Sequence, residues 1–355
     1  MRSMQTTNMK ALVINNPATG YRERDDDLQR TLAFLRERGW EVIGVEQTHG
    51  RGDATTYARR AVAQGCQAVF VAGGDGTNAQ AVDGLVGTNT ALGILPAGTG
   101  NVMARQLGLP VPGSLHPRPL LESARLLLDG QVRPVDVGRV RPIKGEGPEH
   151  HFLCWSGIGF DAQINVAVEQ EPERKKRLGT AAFVVAAFLT LRTFAGMPAI
   201  VRVDGRRVSR RMIMLVANNI QIYGIFFRMA PHAVLDDGQL DIYCFQGRGP
   251  GRTLLHALRL FFSRHLQDPK VDIYRANHVE VRTGRPLPVH VDGEPIGCTP
   301  VVIETVPRAL RLMVPPCAPA SLFTNGTGLT RPESAWEWMV HMAKDAQMAF
   351  KAGLE

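Results

Sequence analysis

The stretch AVFVAGGDGT, residues 68–77, decides the fold of the first part of the chain. Its opening run, Ala68–Ala72, is apolar throughout, which is typical of a strand buried on both faces of a sheet. The glycines and Asp75 that follow indicate a turn, and a helix is predicted after Thr77. Glycines in such a turn let backbone N–H groups approach a phosphate closely, and the start of a helix favours anions. The alternative is an ordinary glycine-rich turn.

Strand-like and helix-like patterns alternate on both sides of this stretch. The patterns predict strands at Lys10–Asn15, Glu41–Glu46 and Ala91–Leu95, and helices at Leu28–Leu35, at Ala54–Gln64 with Asp53 as its cap, after Gly98 and at Leu120–Leu128. Such alternation predicts a doubly wound parallel sheet with helices on both faces, in an α/β domain over residues 9–138. Ligands of these sheets bind at the carboxyl ends of the strands.

Two more polar loops follow strands of this predicted sheet. The loop LPAGTGN, residues 95–101, offers Gly98, Thr99 and Asn101, and the loop NNPATG, residues 15–20, contains Asn16. Three such loops at strand ends predict a nucleotide site. The chain contains neither a P-loop signature nor the paired motifs of protein kinases, which excludes both of those arrangements.

The second half of the chain has a different sequence pattern, with many predicted strands and few helices. Residues 200–203 alternate apolar and polar side chains up to Asp204-Gly205, a hairpin signal, and a strand resumes at Arg207–Arg211. Further strands are predicted at Met212–Ala217, Leu240–Phe245, Val279–Arg282, Val289–Val291, Val301–Thr305 and Leu310–Val314, with helices at Lys176–Phe194 and Thr253–Leu266. These patterns predict an antiparallel, β-sandwich-like domain over residues 139–317.

A tail, residues 318–355, follows as a linker and an amphipathic helix. Thr330 and Glu333 have the spacing of a capping box for that helix. Its apolar stripe is expected to pack on the protein itself or on a second subunit. Packing on a second subunit would make the protein a homodimer.

The net charge of +8 lies almost entirely in the second half. Residues 1–138 carry 14 basic and 13 acidic side chains, whereas residues 139–317 carry 24 and 16. An excess of this kind favours an anionic partner such as a phosphorylated ligand or an acidic membrane. No element typical of DNA recognition is present, so nucleic acid is not expected as a partner.

The cysteines and the apolar runs indicate the compartment. The five cysteines are far apart and never form a CxxC pair, which is typical of reduced thiols in a cytoplasmic protein. No signal peptide is expected at the N-terminus, and the uncharged, phenylalanine-containing run at residues 178–191 is shorter than the roughly 20 residues of a membrane span.

The order of motifs resembles the diacylglycerol kinase catalytic-domain family, the bacterial lipid kinases related to sphingosine and ceramide kinases. The resemblance extends from Met9 to Pro315. GGDGT alone also resembles loops of NAD kinases and phosphofructokinases, but GGDGT followed by LPAGTGN is far more specific. The later motifs that match are GIGFDA at 157–162, KRLG at 176–179, VAN at 216–218, AP at 230–231, LDDGQL at 235–240 and VDGE at 291–294.

This resemblance implies a role for each matching residue. ATP is expected in the cleft between the two domains, bound by Asn16, Thr48, Gly73, Gly74, Asp75, Gly76, Thr77, Gly98, Thr99 and Asn101. Glu294 would be the general base that deprotonates a lipid hydroxyl, and Asp75 would lie beside the phosphates and their metal. A Mg²⁺ ion is expected at Asp237, with the carbonyl groups of Val234 and Gln239. The family commonly has an acidic residue where this chain has Val102, so no carboxylate role is assigned there.

The resemblance therefore implies an ATP- and Mg²⁺-dependent lipid kinase. The alternatives are a phosphotransferase with a soluble acceptor, as in NAD kinases, and a non-catalytic lipid-binding protein that retains the fold. Peripheral contact with an anionic membrane is expected, because basic residues flank apolar ones at Arg174–Arg177, Arg206–Arg211, Phe226–Arg228 and Phe261-Phe262. The alternative for each of these clusters is a buried phenylalanine beside a solvated arginine.

Overall fold

The computed structural model describes residues 9–19, 24–143, 147–170, 186, 189–190, 196–224 and 227–324. These residues form two compact units, unit 1 from residues 9–134 and 309–318, and unit 2 from residues 135–308 and 319–324. The predicted terminal helix, the Arg174–Arg177 cluster and almost all of the predicted helix Lys176–Phe194 lie outside the described residues. No described helix is long and apolar enough to cross a bilayer.

Unit 1 is an alternation of strands and helices. Its elements are β1 (Met9–Asn15), α1 (Arg24–Glu37), β2 (Trp40–Gln47), α2 (Asp53–Ala63), β3 (Ala68–Gly73), α3 (Asp75–Leu85), β4 (Ala91–Pro96), α4 (Val102–Gln106) and α5 (Pro119–Leu128). The strands pair in parallel in the order β4-β3-β1-β2, and Arg311–Leu312 of a later strand extend the sheet beside β4. The predicted parallel α/β sheet is confirmed.

The strand order makes the position of the binding edge predictable. The chain passes from β1 outward to β2, then returns past β1 to β3 and β4. Right-handed crossovers therefore place α1 on one face and α2 and α3 on the other. Ligands of open α/β sheets bind where this direction reverses, at the carboxyl ends of β1 and β3.

Two helices of unit 1 begin differently from the prediction. Helix α3 begins at Asp75, with Gly74 in an extended conformation as its N-cap, so residues 75–77 form its first turn. Helix α2 begins at Asp53 after Gly52, which has a φ of 92°. The carboxylate of Asp53 accepts hydrogen bonds from the N–H groups of His49 and Gly50, so it shapes the preceding loop.

Unit 2 is mainly antiparallel. Its elements are β5 (Gln131–Pro142), β6 (His150–Phe152), β7 (Trp155–Gly159), α6 (Phe160–Glu169), β8 (Met197–Val203), β9 (Arg206–Asn218), β10 (Leu240–Gln246), α7 (Gly249–Phe261), β11 (Val271–Ala276), β12 (His278–Thr283), β13 (Pro288–Val291), β14 (Glu294–Cys298) and β15 (Val301–Val314). Strands pair antiparallel along β14-β13-β7-β9-β8-β12-β15, and β10 joins β9 to β11. The predicted β-sandwich-like domain is confirmed.

Several strand boundaries in unit 2 differ from the prediction. The predicted pieces Arg207–Arg211 and Met212–Ala217 are one strand, β9, because no turn-forming residue separates them. The last two predicted strands are also one strand, β15, which continues through Pro307 and through Arg308 with a φ of 50°. Residues 309–318 belong to unit 1, since Arg311–Leu312 pair with β4. The predicted hairpin at Asp204-Gly205 is confirmed, with φ values of 44° and 81°.

A carboxylate joins three strands of unit 2. Glu304 on β15 lies 2.9 Å from Arg139 and 3.0 Å from Arg141 of β5, and 3.1 Å from the Nδ1 atom of His278 on β12. The hydrogen bond from Arg141, assisted by Arg139, lowers the pKa of Glu304 to about 2 in spite of its burial. The ionised form of Glu304 therefore stabilises the fold.

We expect Glu304→Gln to lower the free energy of unfolding at pH 7 by about 1–3 kcal/mol, since solvent screening keeps the contribution below the full equivalent of the pKa shift. A depressed carboxyl pKa contributes stability that is present above the unfolded pKa of about 4.5 and is lost as the pH falls towards 2. Urea denaturation at pH 7 and at steps down to pH 3 measures this. Glu149→Gln is the matched control, because exposed Glu149 contacts the same Arg139 at 3.3 Å. Equal stability of Glu304→Gln and the parent would contradict the prediction.

Candidate functional site

The carboxyl ends of β1, β2 and β3 are joined directly by hydrogen bonds. The Thr48 N–H group donates to the carbonyl oxygen of Asn15 at 2.9 Å. The Asn16 side-chain amide donates to the Thr77 hydroxyl at 2.9 Å, and Thr77 is buried. Three predicted nucleotide-binding residues from three separate loops thus meet where the strand order reverses.

The two glycine loops touch through their backbones. A Cβ atom added at Gly98 would lie 2.6 Å from the Cα atom of Gly74, closer than real Cβ contacts allow. A Cβ atom at Gly73 would lie 2.8 Å from the Oγ1 and Cβ atoms of Thr77. Both positions therefore require glycine because of close approach, although neither has a positive φ.

The second glycine loop is shaped by its own asparagine. Asn101 is buried in a left-handed conformation with a φ of 50°, which asparagine tolerates better than most residues. Its Oδ1 atom accepts from the Gly98 N–H group at 2.9 Å, and its Nδ2 atom donates to the Gly98 carbonyl at 2.5 Å. Asn101 and the Gly98 N–H group thus hold the loop in shape, while Thr99 is exposed at its tip.

Asp75 links the first glycine loop to the second. Its Oδ1 atom accepts a hydrogen bond from the Val102 N–H group at 2.7 Å, and its Oδ2 atom lies 2.6 Å from a Cβ atom built at Gly100. Burial raises the pKa of Asp75, and the N–H groups of residues 101–103 oppose that shift. The backbone of Val102 therefore contributes to the site, although its side chain departs from the family pattern.

Two arginines near these loops were missed by the sequence analysis. Buried Arg24 at the start of α1 donates to the side chain of Asn15 and, at 2.8 Å, to the carbonyl of Asn16. Arg105 on α4 donates to the Gly100 carbonyl at 2.9 Å. Burial lowers the pKa of Arg105, and the charge of Asp75 opposes this. Neither residue stands in a quoted motif, although each lies within ten residues of the loop that it bonds.

This edge of unit 1 has the chemistry of a phosphate site. Residues 75–77 are the first turn of α3, whose N–H groups have no acceptor within the helix and carry partial positive charge. Arg24 and Arg105 add positive charge, and the glycine contacts keep side chains away from the backbone. Asp75 is the single carboxylate among the predicted nucleotide-binding residues, and its expected place beside a metal ion stays a prediction.

In unit 2, Glu294 follows a tight hairpin turn. Asp292 and Gly293 have φ values of 47° and 88°, the combination of a two-residue type I′ turn, and Glu294 is the first residue of β14. The Asp292 carboxylate accepts hydrogen bonds from the N–H groups of Leu153, Cys154 and Trp155, at 2.8–2.9 Å. The turn that carries half-buried Glu294 is thereby fixed to the start of β7.

Three polar side chains, those of Asp161, Tyr223 and His290, support the same turn. We call them the Asp161 cluster. The Gly293 N–H group donates to the His290 Nδ1 atom at 3.1 Å, so the neutral ring carries its proton on Nε2. That Nε2 atom lies 3.0 Å from the Asp161 Oδ2 atom, which also accepts from the Tyr223 hydroxyl at 3.0 Å. Burial, and then the charge of Asp161, raises the pKa of Tyr223 well above 10. The cluster positions the residue before Glu294.

On the predicted role of Glu294 as the general base for transfer from ATP, we expect His290→Ala to lower kcat about 10- to 100-fold while the KM for ATP changes less than about twofold. The reason is that loss of the ring leaves the Gly293 N–H group without its acceptor, and small misplacements of a reacting group are costly. Steady-state kinetics with varied ATP measure both constants.

His265→Ala is the matched control for this prediction. His265 is equally buried and bonds the Met229 carbonyl at 2.8 Å, away from the turn. A general loss of stability would lower the activity of both variants alike, and that result would contradict a positioning role for His290.

The predicted metal turn is occupied by an ion pair. The Asp237 Oδ1 atom accepts from the Gln239 N–H group at 3.0 Å, and its Oδ2 atom accepts from Arg275. Within the described residues, no group of three acidic, histidine or cysteine side chains could hold an ion. The predicted role of Asp237, Val234 and Gln239 in binding Mg²⁺ stays a prediction.

The structure thus gathers one set of predicted residues in unit 1 and places the others in unit 2. Asn16, Thr48, Gly73, Gly74, Asp75, Gly76, Thr77, Gly98, Thr99 and Asn101 form the edge of the parallel sheet. Glu294 lies on the β13–β14 hairpin, and Asp237 lies before β10. The residues that the sequence analysis missed are Arg24, Arg105, Asp161, Tyr223, His290 and Asp292, of which only Asp161 and Asp292 stood inside quoted motifs.

Comparisons with known proteins agree on both units. The family model described as "Diacylglycerol kinase catalytic domain" matches residues 10–140. The one described as "YegS C-terminal NAD kinase beta sandwich-like domain" matches residues 156–314.

Individual relatives match over most of their length. A "Diacylglycerol kinase" of Mycobacterium tuberculosis (strain ATCC 25618 / H37Rv) is 29% identical over 311 residues, 86% of this chain and 95% of the relative. A "Probable lipid kinase YegS-like" of Xanthomonas euvesicatoria pv. vesicatoria (strain 85-10) is 30% identical over 298 residues, 81% of this chain and 92% of the relative. A crystal structure of a diacylglycerol kinase from Bacillus anthracis str. Sterne has the same fold, with a TM-score of 0.64 at 21% identity over 88% of this chain and 98% of that one.

Proposed function

Since the chain belongs to the family of diacylglycerol kinases and YegS-like lipid kinases, we propose that it transfers the γ-phosphate of ATP to a hydroxyl group of diacylglycerol or a related lipid. The observation that carries the proposal is the meeting of the loops after β1, β2, β3 and β4 at one sheet edge. Hydrogen bonds from Thr48 to Asn15, from Asn16 to Thr77 and from Val102 to Asp75 hold these loops together.

The proposal assigns the phosphates of ATP to unit 1. First-turn N–H groups of α3 and the Thr99 loop would donate to the phosphate oxygens, and Arg24 and Arg105 would add positive charge. Mg²⁺ bound to ATP would neutralise charge on the phosphates as it develops. Phosphoryl transfer demands positioning and charge stabilisation more than covalent chemistry from the protein, and rigid glycine loops supply positioning.

The proposal assigns the acceptor hydroxyl to Glu294 in unit 2. Its carboxylate would take the hydroxyl proton as the lipid oxygen bonds to the γ-phosphorus and the bond to the β-phosphate oxygen breaks, leaving ADP. The turn at Asp292-Gly293 and the Asp161 cluster fix the backbone that carries this carboxylate. General-base assistance of this kind contributes about 10²- to 10⁴-fold to a rate.

The test is transfer of labelled phosphate from ATP to a panel of acceptors in mixed micelles. The panel contains diacylglycerol, a sphingoid base, phosphatidylglycerol and a polyprenol, with NAD as a soluble acceptor and with EDTA added to parallel samples. We expect labelling of at least one lipid, abolished by EDTA. Labelling of NAD alone would favour the soluble-acceptor alternative, and labelling of none would favour a non-catalytic lipid-binding protein.

A further inference from the structure

Helix α7 of unit 2 has one buried face and one exposed apolar face. Thr253, His256 and Leu260 are buried against the unit. The opposite face carries large apolar side chains, and these residues are exposed by the following fractions: Leu254 49%, Leu255 36%, Leu258 47%, Phe261 49% and Phe262 56%. At 3.6 residues per turn these five occupy a sector of about 120°. Large apolar side chains clustered on one exposed face indicate an interaction surface.

The inner face of α7 is held firmly, so the exposed face is presented on a fixed helix. The buried Asp268 carboxylate accepts from Arg252 at 2.7 Å and from Arg259 at 2.8 Å, and it lies 3.2 Å from the His256 Nδ1 atom. The His256 Nε2 atom also lies 2.8 Å from the Gln246 carbonyl. These contacts attach α7 through its inner face and one flank, and they leave the apolar face uninvolved.

The surroundings of the exposed face are basic. Residues 248–270 contain four arginines and one lysine but a single acid, the buried Asp268. Arg248 before α7, and Arg264 and Lys270 after it, are exposed and form no ion pair with any other residue that the structure describes. An apolar helix face bordered by unpaired cations is the pattern of helices that lie in the interface of an anionic membrane.

A second copy of the chain fits this surface less well. A two-fold dimer would bring the same cations of both copies towards one another, which is unfavourable. The surface also consists of five side chains on a helix about 20 Å long, whereas stable interfaces use roughly 20–30 residues a side. Charge complementarity therefore favours an anionic lipid surface over another copy.

We propose that α7 is a membrane-docking helix, with Leu254, Leu255, Leu258, Phe261 and Phe262 inserted among lipid chains and Arg248, Arg264 and Lys270 on the anionic headgroups. A lipid kinase gains from such a contact, because its acceptor is dissolved in the bilayer. Docking itself is independent of the proposed catalysis, since it needs neither ATP nor the acceptor.

The test is sedimentation of the full chain with sucrose-loaded vesicles, in the absence of ATP. One set contains phosphatidylcholine alone and the other contains phosphatidylcholine with phosphatidylserine, an anionic lipid that is not on the acceptor panel. We expect binding to the anionic vesicles that weakens as salt rises, because salt screens exposed charges. Binding that ignored both lipid charge and salt would overturn the proposal.

Two double variants separate the apolar and the charged contributions. We expect Leu258→Gln with Phe262→Gln to weaken binding at least about tenfold, and Arg264→Gln with Lys270→Gln to weaken binding to anionic vesicles and flatten its salt dependence. The control for the first is Leu115→Gln with Val132→Gln, equally exposed apolar residues of unit 1. The control for the second is Arg36→Gln with Arg59→Gln, exposed arginines of unit 1. Equal effects of variants and controls would overturn the proposal, as would a dimer in light scattering that the apolar variant dissociates.

Kinase activity towards a short-chain lipid in detergent micelles, measured on the same samples, distinguishes this proposal from the proposed function. Vesicle binding without phosphoryl transfer would refute only the proposed function. Phosphoryl transfer without vesicle binding would refute only the docking role of α7.

Discussion

Replacement of Glu294 by glutamine is expected to lower the turnover number at least a hundredfold while ATP still binds. Glutamine has nearly the same size and shape as glutamate, but its amide cannot take a proton from the acceptor hydroxyl. The loss should therefore equal the contribution of general-base assistance, about 10²- to 10⁴-fold. The turn that carries the residue should persist, because Asp292 and His290 hold it and Glu294 is not one of their partners in those bonds.

Two measurements on purified Glu294→Gln test this expectation. Phosphate transfer to the acceptor that the parent protein labels gives the turnover number, and equilibrium dialysis with labelled ATP gives the dissociation constant. The control is Glu149→Gln, an exposed carboxylate of the same unit, which should keep parental activity. Turnover within tenfold of the parent would remove Glu294 from the general-base role.

Replacement of Gly98 by alanine is expected to weaken ATP binding about tenfold to a hundredfold. The new methyl group would lie 2.6 Å from the Gly74 Cα atom and 3.3 Å from the Gly74 nitrogen, both main-chain atoms that no rotamer change can move. The two glycine loops would have to separate, which displaces the N–H groups of residues 75–77 and the bond from Val102 to Asp75. Overpacking of this kind costs about 1–3 kcal/mol, which corresponds to that range of affinity.

The matched control for this variant is Gly113→Ala in the same unit. A Cβ atom at Gly113 would meet only the Val111 carbonyl oxygen, at an ordinary 3.9 Å, and Gly113 does not have a positive φ. Thermal unfolding of both variants shows whether each is folded, and titration with labelled ATP gives the affinities. Unchanged ATP affinity in folded Gly98→Ala would mean that the contact between the loops does not shape the ATP site.

The region around the first glycine loop was predicted from the sequence only in part. The strand at Ala68–Ala72, the glycine turn after it and the alternation around it were predicted, because buried parallel strands and turns have strong local patterns. The start of α3 at Asp75 was not predicted, since glycine at positions 74 and 76 does not favour a helix by itself. Packing of the two loops against each other stabilises that first turn in place of intrinsic propensity.

Two of the strands that were missed in unit 2, β7 and β14, have weak local patterns. β7 has the sequence WSGIG, in which two glycines weaken any strand pattern, and β14 begins at Glu294 with only five residues. Both are held by neighbours, β7 between β9 and β13, and β14 beside β13. β7 forms by pairing with β9 and β13, which are distant along the chain, and local propensity does not reveal such pairing. β14 pairs with β13 across the two-residue turn, and its short length leaves little local pattern.

The residues of the candidate site were likewise found only in part from the sequence. Asn16 and Thr99 were found because each lies in a polar loop directly after a strand, and parallel strands end at one edge. Thr77 was found because it ends the glycine turn after β3, whereas Thr48 was assigned from the family resemblance. The Asp161 cluster was not found, since His290 is 129 residues from Asp161 and Tyr223 is 62 residues from it. Gly157 shows how closely they pack, because a Cβ atom there would lie 1.9 Å from the Asp161 carboxylate.

Local sequence patterns predicted the parallel α/β sheet, the antiparallel strands and the loops of the candidate phosphate site, because helix and strand periodicity and turn-forming residues act over a few neighbours. Three features became visible only in the folded protein: which loops touch, which carboxylates accept hydrogen bonds from main-chain N–H groups, and which face of α7 is exposed. Those outcomes depend on backbone contacts such as Gly74 against Gly98 and on burial of charges such as Asp268. Such contacts and such burial depend on groups that are far apart along the chain, so no local sequence pattern predicts them.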